Sequence, residues 1–434
     1  MTTRSRPARL RWAALVAVFA FVLAACGGDD NSGGSGQSGG GGDANAEVKV
    51  SGPETGAEAD GFTEAMTAGG IKVNYTGSRD FETQLRVAAE GGDLPDIALI
   101  PQPGLARDLA DKITPVPAAT VTAHKDEFVT GLVDLVTIDG KVLGLPVKAD
   151  LKSLVWYSPK TFKAKGYTVP TTFAELTALQ DKMKKDGIAP WCIGIESGDA
   201  TGWPLTDWFE DLMLRMHGPE VYDQWVSHEI PFNDPKVLEV GQLIEKIWFT
   251  QGNVLNGRAS IASTGFAQAG LPVADGKCGL HRQANFFGAN FKTANPNVTF
   301  GPDKDIDVFY LPTISEEFGK VTLVGGIFAV AFNDKASTVK AMEYLASAEY
   351  STARIKTKKS GFLSPNTKAV YDDPLDKLLA DILAKADPTR FDGSDQMPGV
   401  IGSGAFWKEG TNWVLGSQNL KTFLDNVEKA WPKS

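Results

Sequence analysis

From Glu47 onward, short apolar runs alternate with segments of helical period, and no other feature limits the accessible folds so sharply. Ile71-Lys-Val-Asn-Tyr75 alternates like a strand, and Phe81 to Ala89 places Phe81, Leu85 and Ala88/Ala89 on one helical face. Gly91-Gly92 ends that helix, and Asp96 to Ile100 is a short apolar strand closed by Pro101. Further on, Thr172 and Glu175 form a capping-box pattern ahead of Leu176, Leu179 and Met183. Strands alternating with helices build βαβ units, so a mostly parallel sheet is expected. The 434 residues suggest two folded units, and the absence of an internal repeat argues against a solenoid or propeller. The expectation is an α/β protein of two units with a cleft between them.

The first 25 residues read as an address. Arg4, Arg6, Arg9 and Arg11 precede an uninterrupted apolar run from Trp12 to Ala25. That run is shorter than the ~20 residues needed to span a bilayer and fits the apolar region of a signal peptide. It ends in Leu23-Ala24-Ala25-Cys26, which resembles the lipobox of bacterial lipoproteins and implies a lipid on Cys26. Residues 27–46 are Gly, Ser, Asp, Asn, Ala and Gln only, nine of them glycine, so 26–46 reads as a lipidated cysteine and flexible tether. The expected product is exported and lipid-anchored at the outer face of the cell membrane.

Charge and cysteine content exclude several functions. The net charge of −10 offers no footprint for nucleic acid, and four scattered histidines write no metal-ligand spacing, so neither nucleic acid, metal nor cofactor is expected. Cys192 and Cys278 remain after Cys26. In an oxidising compartment such an even pair points to a disulfide, with two buried thiols as the alternative.

No catalytic motif is present: there is no nucleophile elbow, P-loop, H-E-x-x-H or dinucleotide fingerprint, so no catalytic residue is assigned. A convergent carboxylate pair, as in a secreted carbohydrate-active enzyme, is the competing class. The aromatic residues are more informative. Trp156, Trp203 and Trp407 lie in polar, turn-rich contexts, where an indole can stack on a sugar face while polar neighbours hydrogen-bond its hydroxyls. Gly325-Gly326 interrupts an apolar β-rich run and marks close approach of a backbone or a ligand. Arg79 and Asp80 sit between a strand end and a helix start, where open α/β sheets bind ligands; Asp80 could instead cap the helix.

Taken in order, the lipobox, Ser78-Arg-Asp80, Gly91-Gly-Asp-Leu-Pro-Asp-Ile-Ala98, Asp139-Gly-Lys-Val-Leu-Gly-Leu-Pro146 and Val155-Trp-Tyr-Ser-Pro159 resemble the solute-binding proteins of bacterial ABC sugar importers, the maltose-binding-protein-like family. Pro190 to Gly198, Gly218 to Trp225, Gly279 to Gln283 and Met397 to Trp407 resemble its alpha-glucoside-binding branch. The resemblance implies a two-lobed, periplasmic-binding-protein-like fold with a hinge and a ligand cleft between lobes. One lobe would hold 47–153 plus 305–350 and the other 154–304 plus 351–434. It implies an alpha-glucoside or alpha-linked oligosaccharide as ligand, ABC permease subunits as partners, and a monomer. The implied contacts are Arg79, Asp80, Gln102, Gly325 and Gly326 from the first lobe, with Trp203, Asp207, Arg282 and Trp407 from the second. Trp203 and Trp407 would stack, while Arg79, Asp80, Asp207 and Arg282 would bind hydroxyls. A same-fold receptor for a polyol or glycerophosphodiester is the alternative ligand reading.

Overall fold

The computed structural model describes residues 43–433, apart from 130, 360, 386 and 387. The signal peptide, Cys26 and most of the tether lie outside the described residues. No helix among the described residues is long and apolar enough to cross a membrane.

Two sheets organise the body. The first has six strands: β1 (Val48–Gly52), β2 (Val73–Gly77), β3 (Ile97–Ile100), β4 (Leu145–Leu151), β9 (Thr322–Ala331) and β10 (Thr389–Phe391). The second has four: β5 (Leu154–Tyr157), β6 (Ala189–Trp191), β7 (Cys278–Arg282) and β8 (Asp307–Tyr310). β1 pairs in parallel with β2 and β3, joined through the helices α1 (Ala57–Ala68) and α2 (Phe81–Gly91). This is the βαβ unit that the alternation predicts. Gly92, at φ +74°, ends α2 in the left-handed conformation that glycine adopts freely. The capping box of helix α3 (Phe173–Lys185) is complete: Thr172 accepts from the Glu175 N–H, and the Glu175 carboxylate accepts from the Thr172 N–H.

The sheets are mixed, however, and not mostly parallel. β9 runs antiparallel to β3 and β4, and β5 is antiparallel to β7 and β8. The physical reason is topological. β9 re-enters the first sheet from the second one, so it arrives pointing the opposite way to strands that return through a crossover helix.

The chain crosses between sheets at Lys152-Ser153, which joins β4 to β5, and at Leu311–Val321, which joins β8 to β9. It leaves the first sheet once more after β10. The crossings are tied together. Lys152 N–H donates to Leu323 O (2.9 Å), Leu311 N–H donates to Ser153 O (2.9 Å), and Asp392 N–H donates to Val324 O (2.7 Å). Three stretches sit differently from the expected lobe boundaries. Asp307–Tyr310 pairs with β5 in the second sheet, Thr389–Phe391 pairs with β9 in the first, and helix Ala348–Lys356 packs on α1, with Tyr350 against Phe62 and Arg354 on Glu54.

Apolar clusters cover both faces of the first sheet. A larger one fills the second lobe around Trp191, Trp208, Trp225, Trp248 and Trp413. Trp156 is fully buried and donates from Nε1 to Gln283 O (2.8 Å), so it belongs to the core and not to a ligand surface. Cys192 and Cys278 are joined as a disulfide.

Candidate functional site

A cavity opens between the two lobes and holds about 1070 Å³ of empty space, counted to its mouth. The first lobe lines it through the turn after β1, Arg79 at the start of α2, Gln102 after β3, β4 and Gly326-Ile327 of β9. The second lobe supplies Trp203 and Asp207 from helix α4 (Trp203–Val226), together with Phe266, Phe286 and Trp407. α4 begins at Gly202, where φ is +120° and a Cβ would lie 2.7 Å from Trp407 O. That close seat brings Trp203 and Trp407 to the same cavity although they are far apart in sequence.

Charges are concentrated on one wall. In β4 and the residue that follows it, side chains alternate between faces, so Lys148, Asp150 and Lys152 all line the cavity. Lys148 Nζ meets Glu58 (2.6 Å), Glu54 (3.1 Å) and Asp150 (3.6 Å). Lys152 Nζ bridges Asp207 (2.9 Å) and Asp392. Gly325 makes room for this lysine, since a Cβ there would lie 2.6 Å from Lys152 Cε. Each ammonium also stands over an aromatic face. Lys148 is 5.1 Å from Phe286, Lys152 is 5.9 Å from Trp203, and the Arg79 guanidinium is 4.9 Å from Phe266.

Among the cavity-lining carboxylates, Glu58 is pushed up to about 7 by burial, with Glu54 and Asp150 adding and Lys148 opposing. Asp207 rises to about 6 through burial and Asp392, against Lys152 and Arg282. Asp392 goes the other way: Lys152 and hydrogen bonds from Ser394 and Asp395 hold it below the usual range despite burial. A carboxyl raised in the folded state keeps a proton that the unfolded chain releases. Stability contributed by Glu58 is therefore present below an ordinary glutamate pKa and lost as pH rises through about 7. Relative to Glu58→Gln, the native chain is expected to lose up to ~1.4 kcal/mol per pH unit between about pH 5 and 7. Urea unfolding of both proteins across that range checks this; a difference independent of pH would refute it.

The expected contact residues are placed as follows. Arg79, Gln102, Trp203, Asp207, Gly326 and Trp407 line the cavity. Arg282 lies one layer beneath it, with its guanidinium on Asp211 (2.8 Å) and Asp207 (3.5 Å). Gly325 lies under Lys152 and does not line the cavity. Asp80 occupies the N-cap position of α2 but makes no cap bond; its Oδ1 accepts from the Asp199 N–H of the second lobe (2.9 Å). Sequence reasoning missed Lys148, Asp150, Lys152, Glu54, Glu58 and Asp392. Among the described residues, the carboxylates with metal-like spacing are Asp207, Glu210 and Asp392. The Lys152 ammonium neutralises two of them, and Glu210 accepts from the Gly393 and Ser394 N–H groups (2.9 and 3.0 Å).

A two-lobed α/β body with an aromatic and charged cleft between its lobes is the architecture of a solute receptor. Residues 50–352 match the model of the bacterial extracellular solute-binding proteins, and the chain belongs to that family, an exported class that serves ABC importers. It is 38% identical to the osmoprotective compounds-binding protein GgtB of Synechocystis, over 86% of this chain and 87% of that one. It is 39% identical to the alpha-glucosides-binding periplasmic protein AglE of Rhizobium meliloti, over 85% of this chain and 82% of that one. Among solved structures, the bacterial solute receptor AcbH superposes with a TM-score of 0.74 at 19% identity, covering 89% of this chain and 97% of that one. Maltose-bound MalE3 of T. maritima gives 0.68 at 15% identity, covering 88% and 98%. These two likenesses establish the fold.

Proposed function

We propose that this protein captures an alpha-linked glucoside or oligosaccharide between its lobes and hands it unaltered to an ABC permease. The observation that carries this reading is the pairing, in one cleft, of indole and phenyl faces with a wall of charged hydrogen-bonding side chains. A pyranose needs both: its C–H faces stack on aromatic rings and its hydroxyls take donors and acceptors. The name of one relative, for alpha-glucosides, supports the same class of solute; that of the other is for osmoprotective compounds.

Two alternatives lose support. A glycerophosphodiester would call on Arg79 and Arg282 together, but Arg282 is committed to Asp211 and Asp207 below the cavity floor. A hydrolase would need a free acid and base, and of the three clustered carboxylates Asp392 and Asp207 share Lys152 while Glu210 holds two backbone N–H groups, so none of these three is free for that role. The lobes follow the sheets, with 47–152, 322–356 and 389–391 in the first. Residues 1–25 would direct export, and a lipid on Cys26 would anchor a monomer near its permease through the tether to residue 46.

A thermal-shift screen against maltose, trehalose, sucrose, maltotriose and glycerophosphocholine tests the reading. At 100 times its dissociation constant a ligand adds ~2.7 kcal/mol, about 3 °C for a body this size. An upward shift with an alpha-glucoside that is recovered intact is expected. A shift with the phosphodiester alone, or breakdown of the sugar, overturns it. Within this site, Trp407→Ala is expected to weaken binding by on the order of 1–3 kcal/mol, the scale of one ring stacked on an aromatic side chain. Calorimetric titration reads that loss, and an affinity unchanged within twofold removes Trp407 from the site.

A further inference from the structure

The charges in the first-lobe wall of the cavity do not balance. Glu54, Glu58 and Asp150 stand around the Lys148 ammonium, and Arg354 donates from Nη2 to both Glu54 oxygens (3.2 Å each). Two cations thus face three buried or nearly buried carboxylates. The other elements packed on this cluster do not supply the missing charge. From β2, Tyr75 donates its hydroxyl to Glu54 O (3.1 Å). From the helix Phe287–Ala294, Asn290 and Thr293 reach the cavity, and neither is charged. On α1 itself Asp60 and Glu64 are exposed, and both are acidic. Lys152 is the next cation after β4, and it is taken by Asp207 and Asp392. Arg79 stands away from the cluster, over Phe266.

Of the three carboxylates, Glu58 is the one placed to carry a proton. Glu54 is held by two cations, and Asp150 lies between Lys148 and Lys152 and is attracted by both. Glu58 has Lys148 alone, and burial already pushes it up to about 7. Its side chain is 15% exposed and lines the cavity, so the water that solvates its charge is water of the ligand space. A sugar filling the cavity displaces that water, and burial disfavours the charged form of a carboxyl group. A neutral sugar brings no cation to meet the third carboxylate, whereas a proton from solvent does so. Protonation also changes what Glu58 offers. A carboxylate only accepts hydrogen bonds, but a carboxyl group adds one O–H donor for an oxygen of the sugar.

We propose that the cleft takes up one proton from solvent together with its neutral sugar, and that Glu58 holds it. This rests on the reading of the cleft as a sugar site. Calorimetric titration with maltose, trehalose, sucrose and maltotriose tests both, at pH 6 and at pH 8. From a starting value of about 7 for Glu58, affinity is expected to fall roughly tenfold between these two pH values. Titration at pH 8 in HEPES and in Tris, which differ in ionisation enthalpy, counts the protons exchanged. The native protein is expected to take up more than about half a proton per sugar bound. Glu58→Gln places a neutral amide at the same point and is expected to remove both the uptake and the fall in affinity. The buffer comparison on the native chain decides the linkage whether or not that variant folds. Sugar binding with no proton exchange, or with proton release, overturns the proposal and leaves the sugar site standing. Uptake that persists unchanged in Glu58→Gln overturns the assignment to Glu58. Failure of all four sugars to bind removes the sugar reading, and the linkage with it.

Discussion

Lys152→Met is expected to lower the free energy of unfolding by about 3–5 kcal/mol, the usual cost of removing one partner from a buried ion pair. The lysine side chain is 8% exposed, and Asp207 and Asp392 are each 1% exposed. Methionine fills similar volume, so packing changes little and the loss is electrostatic: two carboxylates stay in the interior without their shared cation. Arg282 still approaches Asp207 at 3.5 Å, and Asp392 still accepts from Ser394 and the Asp395 N–H. These contacts keep the loss finite. Because Asp207 already titrates near 6, the variant can answer by taking up a proton there. The deficit should therefore be larger at pH 8 than at pH 5, and Asp207→Asn added to Lys152→Met should recover part of it at pH 8. Urea unfolding of the three proteins at both pH values provides the measurement. A loss below 1 kcal/mol at pH 8 would show that the pair is not held in the way described.

The same lysine joins hinge to site. Its backbone belongs to the first crossing between lobes, where its N–H holds Leu323, while its ammonium stands on the cavity floor over Trp203. Any change in how β4 enters β5 therefore moves a charged group in the ligand space. Lys152→Met is for this reason also expected to weaken ligand binding.

How far such a site can be read from sequence is clear from individual residues. Local patterns transferred well. The apolar spacing of Phe81, Leu85 and Ala89 gives a helix over Phe81–Gly91 with those three side chains buried, and Thr172 with Glu175 gives a complete capping box. The charged wall did not transfer. Lys148, Asp150 and Lys152 alternate with Ala149 and Leu151, a period of two that ordinarily marks a solvated strand face. In the folded chain that face is turned inward, because carboxylates from α1, α4 and the segment after β10 converge on it. Nothing local distinguishes these situations; only the meeting of distant segments does. Trp156 and Trp407 make the same point. Both have polar, turn-rich sequence neighbours, yet one lies inside β5 and pairs its indole N–H with Gln283 O in the core, while the other starts a helix and lines the interlobe cavity. Arg282, assigned by family resemblance alone, came within one layer of the ligand space and was stopped there by Asp211.

Loss of the Cys192–Cys278 bond is expected to produce the other large effect, on stability and not on affinity. The cysteines are 86 residues apart, which on the chain-entropy account is worth about 4–5 kcal/mol through restriction of the unfolded chain. For a body of this size that is about 5 °C in Tm. The bond ties the residue after β6 to the first residue of β7, two strands already in parallel register in the second sheet. The folded state is therefore held locally by main-chain pairing even without it. The Cys192 carbonyl also accepts from His281 Nδ1 (2.9 Å), and the Cys192 N–H donates to Leu280 O (2.8 Å). Trp203, Asp207 and Phe266 lie within the closed loop, but α4 and the large second-lobe core hold the segment around them. Protein unfolded and refolded in reductant keeps every atom except the bond. It is expected to melt about 5 °C lower than the oxidised form, while binding the ligand within twofold of it. Equal Tm values would show that the bond adds nothing beyond the surrounding packing. A large loss of affinity at a temperature where both forms are folded would mean that the bond also shapes the second-lobe wall of the cavity.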